Sequence, residues 1–492
     1  MAVTVIATAV AASAGVFAAW EGRDNVVSTY TMVLSLIGVG LAVAQHSTAA
    51  RRHTQGSLRQ VGHLLVAAMV VATCYATWVV SQRPVIRIGV SMPFLAEDPQ
   101  DALAVLNGVK LAVNAESDLG IGPHDIELVP FDDSNIGGGI TLMSADGTAD
   151  LRSGGSLGTL LADPRLVGIV GPFHSDTALD EISEVSAAGV PMISPSTTLN
   201  CLTARGETCE RLATVPPDST FFRMAVQDEV RVTELVAQLS GMKPAPAGGT
   251  RRVIVASDGS SFGNGFAATF TTKWKKEHPG DELENVSADR AVGLVRERSD
   301  APALILYCGT GVKGVSLYRA MWQQPWAAKT IFAGPATLMN VGFSDPARTD
   351  GELYAIAPVP HDPANPYRSD FEASYQVKSG GKDATPYSAA AFDATRALII
   401  AIRAAVRNGA RPAVASIGPF VAAAGANLRR RITANLRTLN ISNPGYQTPT
   451  TARFTFDARG DVVYDSDRRT ATYRYESPGV WRIVTAIPAG PR

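Results

Sequence analysis

Residues 166–198, LVGIVGPFHSDTALDEISEVSAAGVPMISPSTT, constrain the fold of this chain more than any other stretch. Apolar runs at 166–170 and 190–194 enclose a segment, about residues 176–187, that has helical spacing and ends before Gly189. A helix between two buried strands is typical of a right-handed βαβ unit with parallel strands. The stretch therefore predicts an α/β fold.

Polar residues follow both strands of this unit. His174 and Ser175 come after the first strand, at the start of the helix, and three hydroxyl residues come after the second strand: Ser196, Thr197 and Thr198. Small ligands bind at the carboxyl ends of parallel strands, and free N–H groups at a helix N-terminus suit a carboxylate or a similar anion. The alternative is that these residues are ordinary caps and turns.

Three long apolar segments precede the α/β part, at residues 3–20, 26–44 and 61–80. Each is nearly free of charge and long enough to cross a hydrocarbon core of about 30 Å. The connector before the third segment carries three arginines, Arg51, Arg52 and Arg59. The positive-inside rule places this connector in the cytoplasm, so the chain after Ser81 is expected outside a cell membrane that it spans three times. The first segment could instead be a signal peptide, but it lacks a basic start and a clear cleavage site.

Cysteine usage agrees with an external location. Cys201 and Cys209 lie in the polar stretch LNCLTARGETCERL and are expected to form a disulfide, worth about 2–3 kcal/mol by loop closure, although two free thiols are the alternative. Cys74 and Cys308 lie in apolar runs and are expected to be buried. No CxxC motif is present, so neither a zinc site nor a redox site is predicted.

Strands and helices alternate along the chain after residue 84. Before the opening stretch the pattern predicts strand, helix and strand at 85–91, 101–116 and 126–131, and residues 136–158, glycine-rich and polar, predict a loop with one helical turn. After it, a helix at 229–239 leads to a second α/β lobe, with strands and helices at 252–257, 265–277, 304–308, 315–323 and 330–333. A long apolar helix and four short strands complete the chain, at 386–406, 452–456, 461–464, 471–475 and 481–483.

The order of motifs resembles the type I periplasmic binding proteins, in particular the leucine/isoleucine/valine-binding branch that serves ABC transporters. The matching pieces run in order from IRIGVSMPF through NGVKLAVNA, FDDS, LADPRLVGIVGPFHS, AAGVPMISPSTT, SDGSSFGNGFAATF, IFAGP, HDPANPYRSDFEASY and PYSAAAFDATRAL to FTFDARGD and PGVWRIV. The resemblance covers roughly residues 85–484. It implies two α/β lobes with doubly wound parallel sheets that close around a small ligand, with no cofactor.

The same resemblance implies three crossovers between the lobes, near residues 224–226, 358–361 and 461–464. The domains expected from it are a membrane domain at 1–82, lobe 1 at 83–224 and 359–461, lobe 2 at 225–358, and C-terminal strands that close onto lobe 2 at 462–492.

By the resemblance, the ligand site in lobe 1 is formed by Ser175, Ser196 and Thr198, which hold the carboxylate and amino group of the ligand in relatives, with His174 and Thr197 beside them. From lobe 2, Phe262 is expected to cover the ligand, and the segment from Tyr307 to Thr310 is expected to supply a second contact.

One position departs from the family pattern. Amino acid binders generally place an acid after the strand IFAGP, and this chain has Ala336 there. An unpaired buried ammonium costs several kcal/mol, so an amino acid ligand would need another acid, such as Asp258 or Asp176. A carboxylate, an amide or an uncharged metabolite are the alternatives.

Enzymatic functions find little support. The segment FGNGFAA at 262–268 resembles a dinucleotide fingerprint, but five residues separate it from the preceding strand, whereas the fingerprint needs its first glycine directly after the strand. There is no GxSxG or HExxH motif, and neighbours such as His174 and Ser175 rarely orient as a base and a nucleophile. With a formal net charge of −1, no basic patch predicts a nucleic-acid partner.

Two non-catalytic functions remain in competition. The protein could capture a solute for an ABC permease, or it could be a membrane-fixed sensor that signals through a membrane partner, since three spans exceed what a tether requires. The cytoplasmic connector at 45–60 carries no signalling domain, so a sensor would need a partner chain. An interaction module with a degenerate cleft is the third possibility, which Ala336 favours.

Overall fold

A computed structural model describes residues 85–96, 99–117, 124–134, 140–144, 149–204, 209, 215–242, 249–310, 312–339, 352–358, 368–410, 420–439, 454–464, 470–477 and 480–485. The three predicted membrane spans lie outside these residues, as does Cys74. Among the residues described, no helix combines the length and the apolar character needed to cross a bilayer.

The described helices are α1 (Gln100–Ser117), α2 (Leu157–Leu161), α3 (Ser175–Ala187), α4 (Asp228–Met242), α5 (Ser261–Glu277), α6 (Ala288–Glu297), α7 (Val312–Trp322), α8 (Arg368–Ser379), α9 (Pro386–Arg407) and α10 (Phe420–Arg437). Short 3-10 turns occur at Asn200–Leu202, Ala327–Lys329 and Ala336–Met339.

The described strands are β1 (Val85–Met92), β2 (Asp125–Asp132), β3 (Ile140–Met143), β4 (Ala149–Gly155), β5 (Leu166–Val170), β6 (Met192–Ser194), β7 (Phe221–Arg223), β8 (Arg252–Ser257), β9 (Glu282–Ser287), β10 (Leu304–Cys308), β11 (Ile331–Pro335), β12 (Glu352–Pro358), β13 (Phe454–Phe456), β14 (Val462–Tyr464), β15 (Thr470–Ser477) and β16 (Val480–Thr485).

Two mixed sheets define two lobes, as expected. The sheet of lobe 1 has the order β4-β3-β2-β1-β5-β6-β7, and the sheet of lobe 2 has the order β16-β15-β12-β11-β10-β8-β9. The central pairs of both sheets are parallel, whereas β3 and β4 in lobe 1 and β15 and β16 in lobe 2 join their sheets antiparallel. Each lobe is therefore a doubly wound sheet extended by an antiparallel edge.

The opening βαβ unit forms as the sequence predicts. Strand β5 is buried along its whole length, because helices cover both faces of a parallel sheet. Helix α3 ends at Ala187, and Gly189 follows with φ 64°, a left-handed conformation that glycine adopts without steric cost. Strands β5 and β6 then pair in parallel, so their carboxyl ends meet at one edge.

The long helix α9 is the central helix of lobe 1. Thr385 and Ser388 form a capping box at its start, and Pro386 occupies the first turn, where its missing N–H costs nothing. Its alanine-rich surface lets α1 approach so closely that a Cβ atom at Gly108 would lie 2.2 Å from the carbonyl oxygen of Ser388. Helix α9 therefore packs against α1 and the lobe 1 sheet.

The predicted loop at 136–158 is wrong. This segment forms β3 and β4, which extend the lobe 1 sheet from β2. Backbone hydrogen bonds can hold a strand near a sheet edge even where its side chains form no continuous apolar face. Glycine and polar residues are therefore compatible with pairing there. The side chains of Ile140 and Met143 nevertheless reach the core.

Four regions with no predicted element also form regular structure: β9 with α6, β12, α8 and α10. Strand β9 and helix α6 occupy 282–297; the strand is a polar edge, and the helix buries Ala288, Ala291 and Val295. Helix α10 buries Leu428, Ile432 and Leu436 at a spacing of four residues. The helical periodicity of these residues was a usable signal.

The chain passes between the lobes at three places. The first crossover joins β7 to α4 near the predicted 224–226, and after β12 of lobe 2 the described chain continues with α8 and α9 of lobe 1. Hairpin β13–β14 packs into the core of lobe 1 through Phe454, Phe456 and Tyr464, and β15 joins lobe 2. Strand β14 therefore belongs to lobe 1 and β15 to lobe 2.

The cysteines behave as the sequence predicts. Cys201 and Cys209 form a disulfide, and Cys308 is free and buried in the core of lobe 2.

Candidate functional site

A cavity of about 280 Å³ lies between the lobes. Lobe 1 lines it with Pro93, Ala96, Ser134, Phe173, His174, Ser175, Asp176, Thr177, Ser196, Thr198 and Tyr387, and lobe 2 lines it with Arg231, Ser260, Phe262, Thr310, Pro335, Ala336 and Thr337. Most of these residues follow the carboxyl ends of parallel strands, as expected for a ligand site in an open α/β sheet. The volume is at the small end of the range for ligand pockets, roughly 300–1,000 Å³, and suits a small metabolite.

The N-terminus of α3 forms one wall. His174 is its N-cap residue, and its side chain makes no capping hydrogen bond. The hydroxyl of Ser175 instead accepts from the backbone N–H groups of Thr198 and Leu199, at 3.3 and 3.4 Å. A helix N-terminus that no side chain caps offers N–H groups and the positive end of the helix dipole to an anion.

The hydroxyl of Ser196 has a structural partner. It donates to the carbonyl oxygen of Phe173 at 2.6 Å, and the neighbouring Ser194 donates to the carbonyl oxygen of Pro172 at 2.8 Å. These bonds tie the loop after β6 to the loop after β5. Ser196 can therefore contact a ligand while it also holds the shape of the wall.

Two predicted site residues do not line the cavity. Thr197 is buried, with its backbone N–H bound to the hydroxyl of Ser194. Tyr307 is completely buried in the core of lobe 2, and its hydroxyl donates to the carbonyl oxygen of Thr310. Because side chains alternate between the two faces of a strand, Tyr307 points into the core, and Thr310, beyond the strand, lines the cavity in its place.

The other predicted residues lie together around the cavity: His174, Ser175, Ser196, Thr198, Phe262 and Ala336. Phe262 stands on the first turn of α5 and lines the cavity from lobe 2. Whether these side chains bind a ligand stays a prediction.

Aromatic rings form the apolar part of the wall. The ring of Phe173 makes edge-to-face contacts with the rings of His174 and Tyr387, at centroid distances of 5.1 and 5.0 Å. Burial raises the pKa of Tyr387 to about 12, so its hydroxyl stays protonated and can donate a hydrogen bond. This wall suits an apolar ligand body with a polar end.

Burial lowers the pKa of His174, despite the opposing effect of the negative charges of Asp176 and Asp258. The imidazole is therefore neutral at neutral pH. Asp176 lines the cavity, and its carboxylate accepts a hydrogen bond of 2.8 Å from the backbone N–H of Ser261.

Asp258, the other acid that could replace an acid at position 336, is directed into lobe 2. Its carboxylate accepts from Ser260 and from the backbone N–H of Thr310, and it is not among the described residues that line the cavity. Of the two candidates, the structure brings only Asp176 to the site.

Several lining residues were not predicted from the sequence, among them Arg231 and Tyr387. Tyr387 lies at the start of the conspicuous apolar helix α9, and Arg231 follows the first crossover by a few residues. One follows a crossover and the other starts a helix, and both places lie next to the ends of strands. The position in the chain was therefore the available signal, because residue type alone gives none. Within the described ranges, no group of three His, Cys, Asp or Glu residues could hold a metal ion.

The family model described as periplasmic binding protein matches residues 85–462 of this chain. No curated protein matches the chain in sequence.

Solved structures of ABC transporter substrate-binding proteins are similar to this chain. The protein from Desulfitobacterium hafniense in complex with Leu has 18% sequence identity and a TM-score of 0.54, and the match covers 81% of this chain and 100% of that chain. The branched-chain amino acid protein LivJ from Streptococcus pneumoniae, in complex with isoleucine, has 15% identity and a TM-score of 0.55, with coverage of 82% and 99%.

The solute-binding protein from Rhodopseudomonas palustris HaA2 in complex with p-hydroxybenzoic acid has 16% identity and a TM-score of 0.56, with coverage of 83% and 98%. At these identities the similarity establishes the shared fold.

Proposed function

Because this chain belongs to the periplasmic binding protein family, we propose that it captures a small carboxylate-bearing metabolite, amino acid-like or an organic acid, between its two lobes for ABC-type uptake. The observation that carries this proposal is the cavity between the lobes, which the uncapped N-terminus of α3 and an aromatic wall line together. The ligands named for the similar structures, leucine, isoleucine and p-hydroxybenzoic acid, all carry a carboxylate and an apolar body.

The proposed role is binding without a chemical step. The polar groups of the wall are held by hydrogen bonds to the backbone rather than arranged as a nucleophile and a base: Ser175 accepts from two N–H groups, and Ser196 donates to the carbonyl oxygen of Phe173. This arrangement supports recognition of a ligand rather than its conversion.

The proposed location is the outer side of a cell membrane, with the chain anchored by its three apolar N-terminal segments. The disulfide between Cys201 and Cys209 supports this proposal, because such bonds persist in oxidising compartments.

A membrane-fixed sensor is the second candidate. It is favoured by the three apolar segments at 3–20, 26–44 and 61–80, since a single span or a lipid would suffice to tether a binding protein. The interaction module with a degenerate cleft has less support, because a cavity with polar and aromatic walls is present.

A ligand screen tests capture. The full-length protein in detergent is heated with amino acids, aliphatic and aromatic carboxylates and their amides, and hits are measured by calorimetry. Phe262→Ala should weaken binding of a hit roughly tenfold, because it removes an aromatic wall. Val377→Ala, which changes an exposed side chain on α8, should leave binding unchanged. No hit in a broad library, or equal binding by the Phe262 variant, would contradict capture in this cavity.

Uptake separates the two candidates. Cells that carry or lack the protein are given the labelled ligand. Uptake that depends on the protein supports transport, whereas unchanged uptake together with ligand-dependent cross-linking to a membrane partner supports sensing.

A further inference from the structure

Arg231 is a buried cation in the wall of the cavity. It stands on the first turn of α4, its relative exposure is 4%, and it lines the cavity between the lobes. One terminal nitrogen, Nη1, lies 3.2 Å from Oδ1 of Asp228, and the other, Nη2, donates to the carbonyl oxygen of Ile356 at 2.9 Å. The guanidinium also lies 6.0 Å from the ring of Phe266.

These contacts do not use all the donors of Arg231. Its Nε is buried and has no hydrogen-bond partner among the residues described here. A guanidinium has five N–H donors and forms its strongest pairs with a carboxylate in a two-bond arrangement, whereas Asp228 offers a single long bond. A buried donor without a partner is costly, so a partner supplied by a ligand would be favourable.

The charges around Arg231 favour an anionic ligand. Of the acids near the cavity, Asp258 is bound to Ser260 and Thr310, and Asp176 is bound to the N-terminus of α5, whose positive end offsets its charge. Position 336 is an alanine. Arg231, paired with Asp228, is a cation in the cavity wall, and the start of α3, which carries Asp176 in its first turn, has no side-chain cap from His174.

We propose that Arg231 is a ligand-binding residue that determines specificity, and that the cavity takes a small organic acid with a carboxylate and no ammonium group. This inference rests on the proposed capture function and narrows its ligand class. The guanidinium of Arg231 pairs with the carboxylate of the ligand, while Asp228 and Ile356 hold the guanidinium in place. An amino acid brings an ammonium group that has no dedicated acid in the described wall.

Matched probes test this inference in the full-length protein in detergent by titration calorimetry. Isocaproate, leucine and isocaproamide form one series, and hydrocinnamate, phenylalanine and hydrocinnamamide form another. Within each series, the amino acid adds an ammonium group to the acid, and the amide removes its charge. In at least one series the acid should bind about thirtyfold or more tightly than both other members, the scale expected for a buried charge pair.

Variants at Arg231 test the residue itself. Arg231→Gln should remove the preference for the acid over its amide, and Arg231→Lys, which keeps the charge, should keep part of it. Arg430→Gln, which alters an exposed arginine on α10, is the control that should change nothing. If Arg231→Gln does not fold, the acid-to-amide comparison in the unaltered protein still decides the question.

The outcomes separate this inference from the proposed function. Tighter binding of leucine or phenylalanine than of the matching acid, or an unchanged preference in a folded Arg231→Gln protein, overturns the inference and leaves capture intact. If none of the six compounds binds, the inference about the ligand class is wrong. The broader ligand screen described above then tests the capture function independently.

Discussion

The carboxylate of Asp176 in lobe 1 accepts a hydrogen bond of 2.8 Å from the backbone N–H of Ser261 in lobe 2. The two residues stand on the first turns of α3 and α5, where the lobes meet beside the cavity. A carboxylate at a helix N-terminus satisfies a free N–H group and interacts favourably with the helix dipole. This bond therefore stabilises the arrangement in which the two lobes touch.

Replacing Ser261 with proline should weaken closure without disturbing either lobe. Proline lacks the N–H that Asp176 accepts, yet it is favoured at the first position of a helix, and the preceding Ser260 is already extended, with φ −65° and ψ 159°. Loss of a hydrogen bond to a charged group should cost about 1.5–3 kcal/mol of closure energy. Ligand affinity should fall by a factor of ten or more, to roughly a hundredfold.

Calorimetry and small-angle scattering check this prediction, because weaker closure should also enlarge the radius of gyration. Ser261→Ala keeps the N–H and is the matched control. An unchanged affinity and scattering profile in the proline variant would show that the bond does not govern closure.

The stability of lobe 1 should rise as the pH falls below neutral. The hydroxyl of Ser91 lies 2.9 Å from a carboxylate oxygen of Asp133 and 3.4 Å from one of Glu181. Burial raises the pKa of Asp133 to about 7, and burial together with the charge of Asp133 raises the pKa of Glu181. The folded protein therefore binds more protons than the unfolded chain between about pH 4 and pH 7, so stability increases as the pH decreases through this window.

Melting temperatures measured between about pH 5 and pH 8 test this dependence. Asp133→Asn, which mimics the protonated acid, should flatten the curve and stabilise the protein above about pH 7 by about 2–4 kcal/mol. A steeper curve, or a less stable variant at high pH, would contradict the assignment.

Asp163→Asn provides a control of opposite sign. Burial works to raise the pKa of Asp163, but hydrogen bonds from Arg165 and Arg87 outweigh it and lower this pKa. The stabilisation from this group is present above the ordinary pKa of an aspartate and is lost as the pH falls. Its replacement should therefore destabilise the protein at neutral pH.

The buried ion pair at the crossovers should be costly to break. Arg223 at the end of β7 is fully buried, and its Nε lies 2.5 Å from Oδ1 of Asp461. The same guanidinium donates to the carbonyl oxygen of Leu199 at 2.7 Å and to the hydroxyl of Thr203. Arg223→Met leaves the carboxylate of Asp461 buried without its cation, and we expect a loss of about 3–5 kcal/mol of unfolding free energy.

Denaturant unfolding measures this loss. Adding Asp461→Leu to the Arg223 variant should recover part of the stability, because no uncompensated charge remains. Arg252→Ala is the control: this arginine forms exposed ion pairs with Glu282 and Asp300 and should cost less than about 1 kcal/mol. Similar losses at Arg223 and Arg252 would contradict the prediction.

The close contact of α1 with α9 should make Gly108 intolerant of a side chain. A methyl group at Gly108 would lie 2.2 Å from the carbonyl oxygen of Ser388, which belongs to the backbone and cannot turn aside. Gly108→Ala should therefore destabilise lobe 1 by about 2–3 kcal/mol, as overpacking does elsewhere.

Gly293→Ala is its matched control. At Gly293 on α6 the nearest atom to such a methyl group is 3.9 Å away, and alanine favours a helix by about 1 kcal/mol over glycine. This variant should melt at a higher temperature. A stabilised Gly108→Ala protein would show that the two helices are free to separate.

Most of the architecture follows from local patterns. Helical spacing placed α1, α3, α4, α5 and α9, and apolar runs placed the parallel strands β1, β2, β5, β6, β8, β10 and β11, because burial on both faces of a sheet demands such runs. Strands β3, β4 and β9, at or next to a sheet edge, were not predicted, since pairing there depends on the backbone groups of a neighbour and leaves little trace in side-chain type. The strand β12 and the helix α8 were not predicted either.

The lobe 1 wall of the candidate site was predicted more fully than the lobe 2 wall. The strand ends and helix start in residues 166–198 located the lobe 1 wall, where Ser175, Ser196 and Thr198 do line the cavity. Tyr307, which was predicted to contact the ligand, points into the core of lobe 2. It lies on the face of the sheet that packs against α6 and α7, and the sequence does not show which face that is.

The sequence by itself determined the family, the two alternating lobes and the edge at which a ligand would bind, because these follow from periodicity and the order of motifs. Only the tertiary structure decided which charges meet in the cavity. Arg231 lies far from Ser175 along the chain, and Asp176 far from Ser261, and no local pattern relates residues that approach only when two sheets fold and their lobes come together. When the lobes come together, the cation Arg231 and the acid Asp176, which is already bound to Ser261, come to line one cavity. Our proposal for the class of ligand depends on these charges.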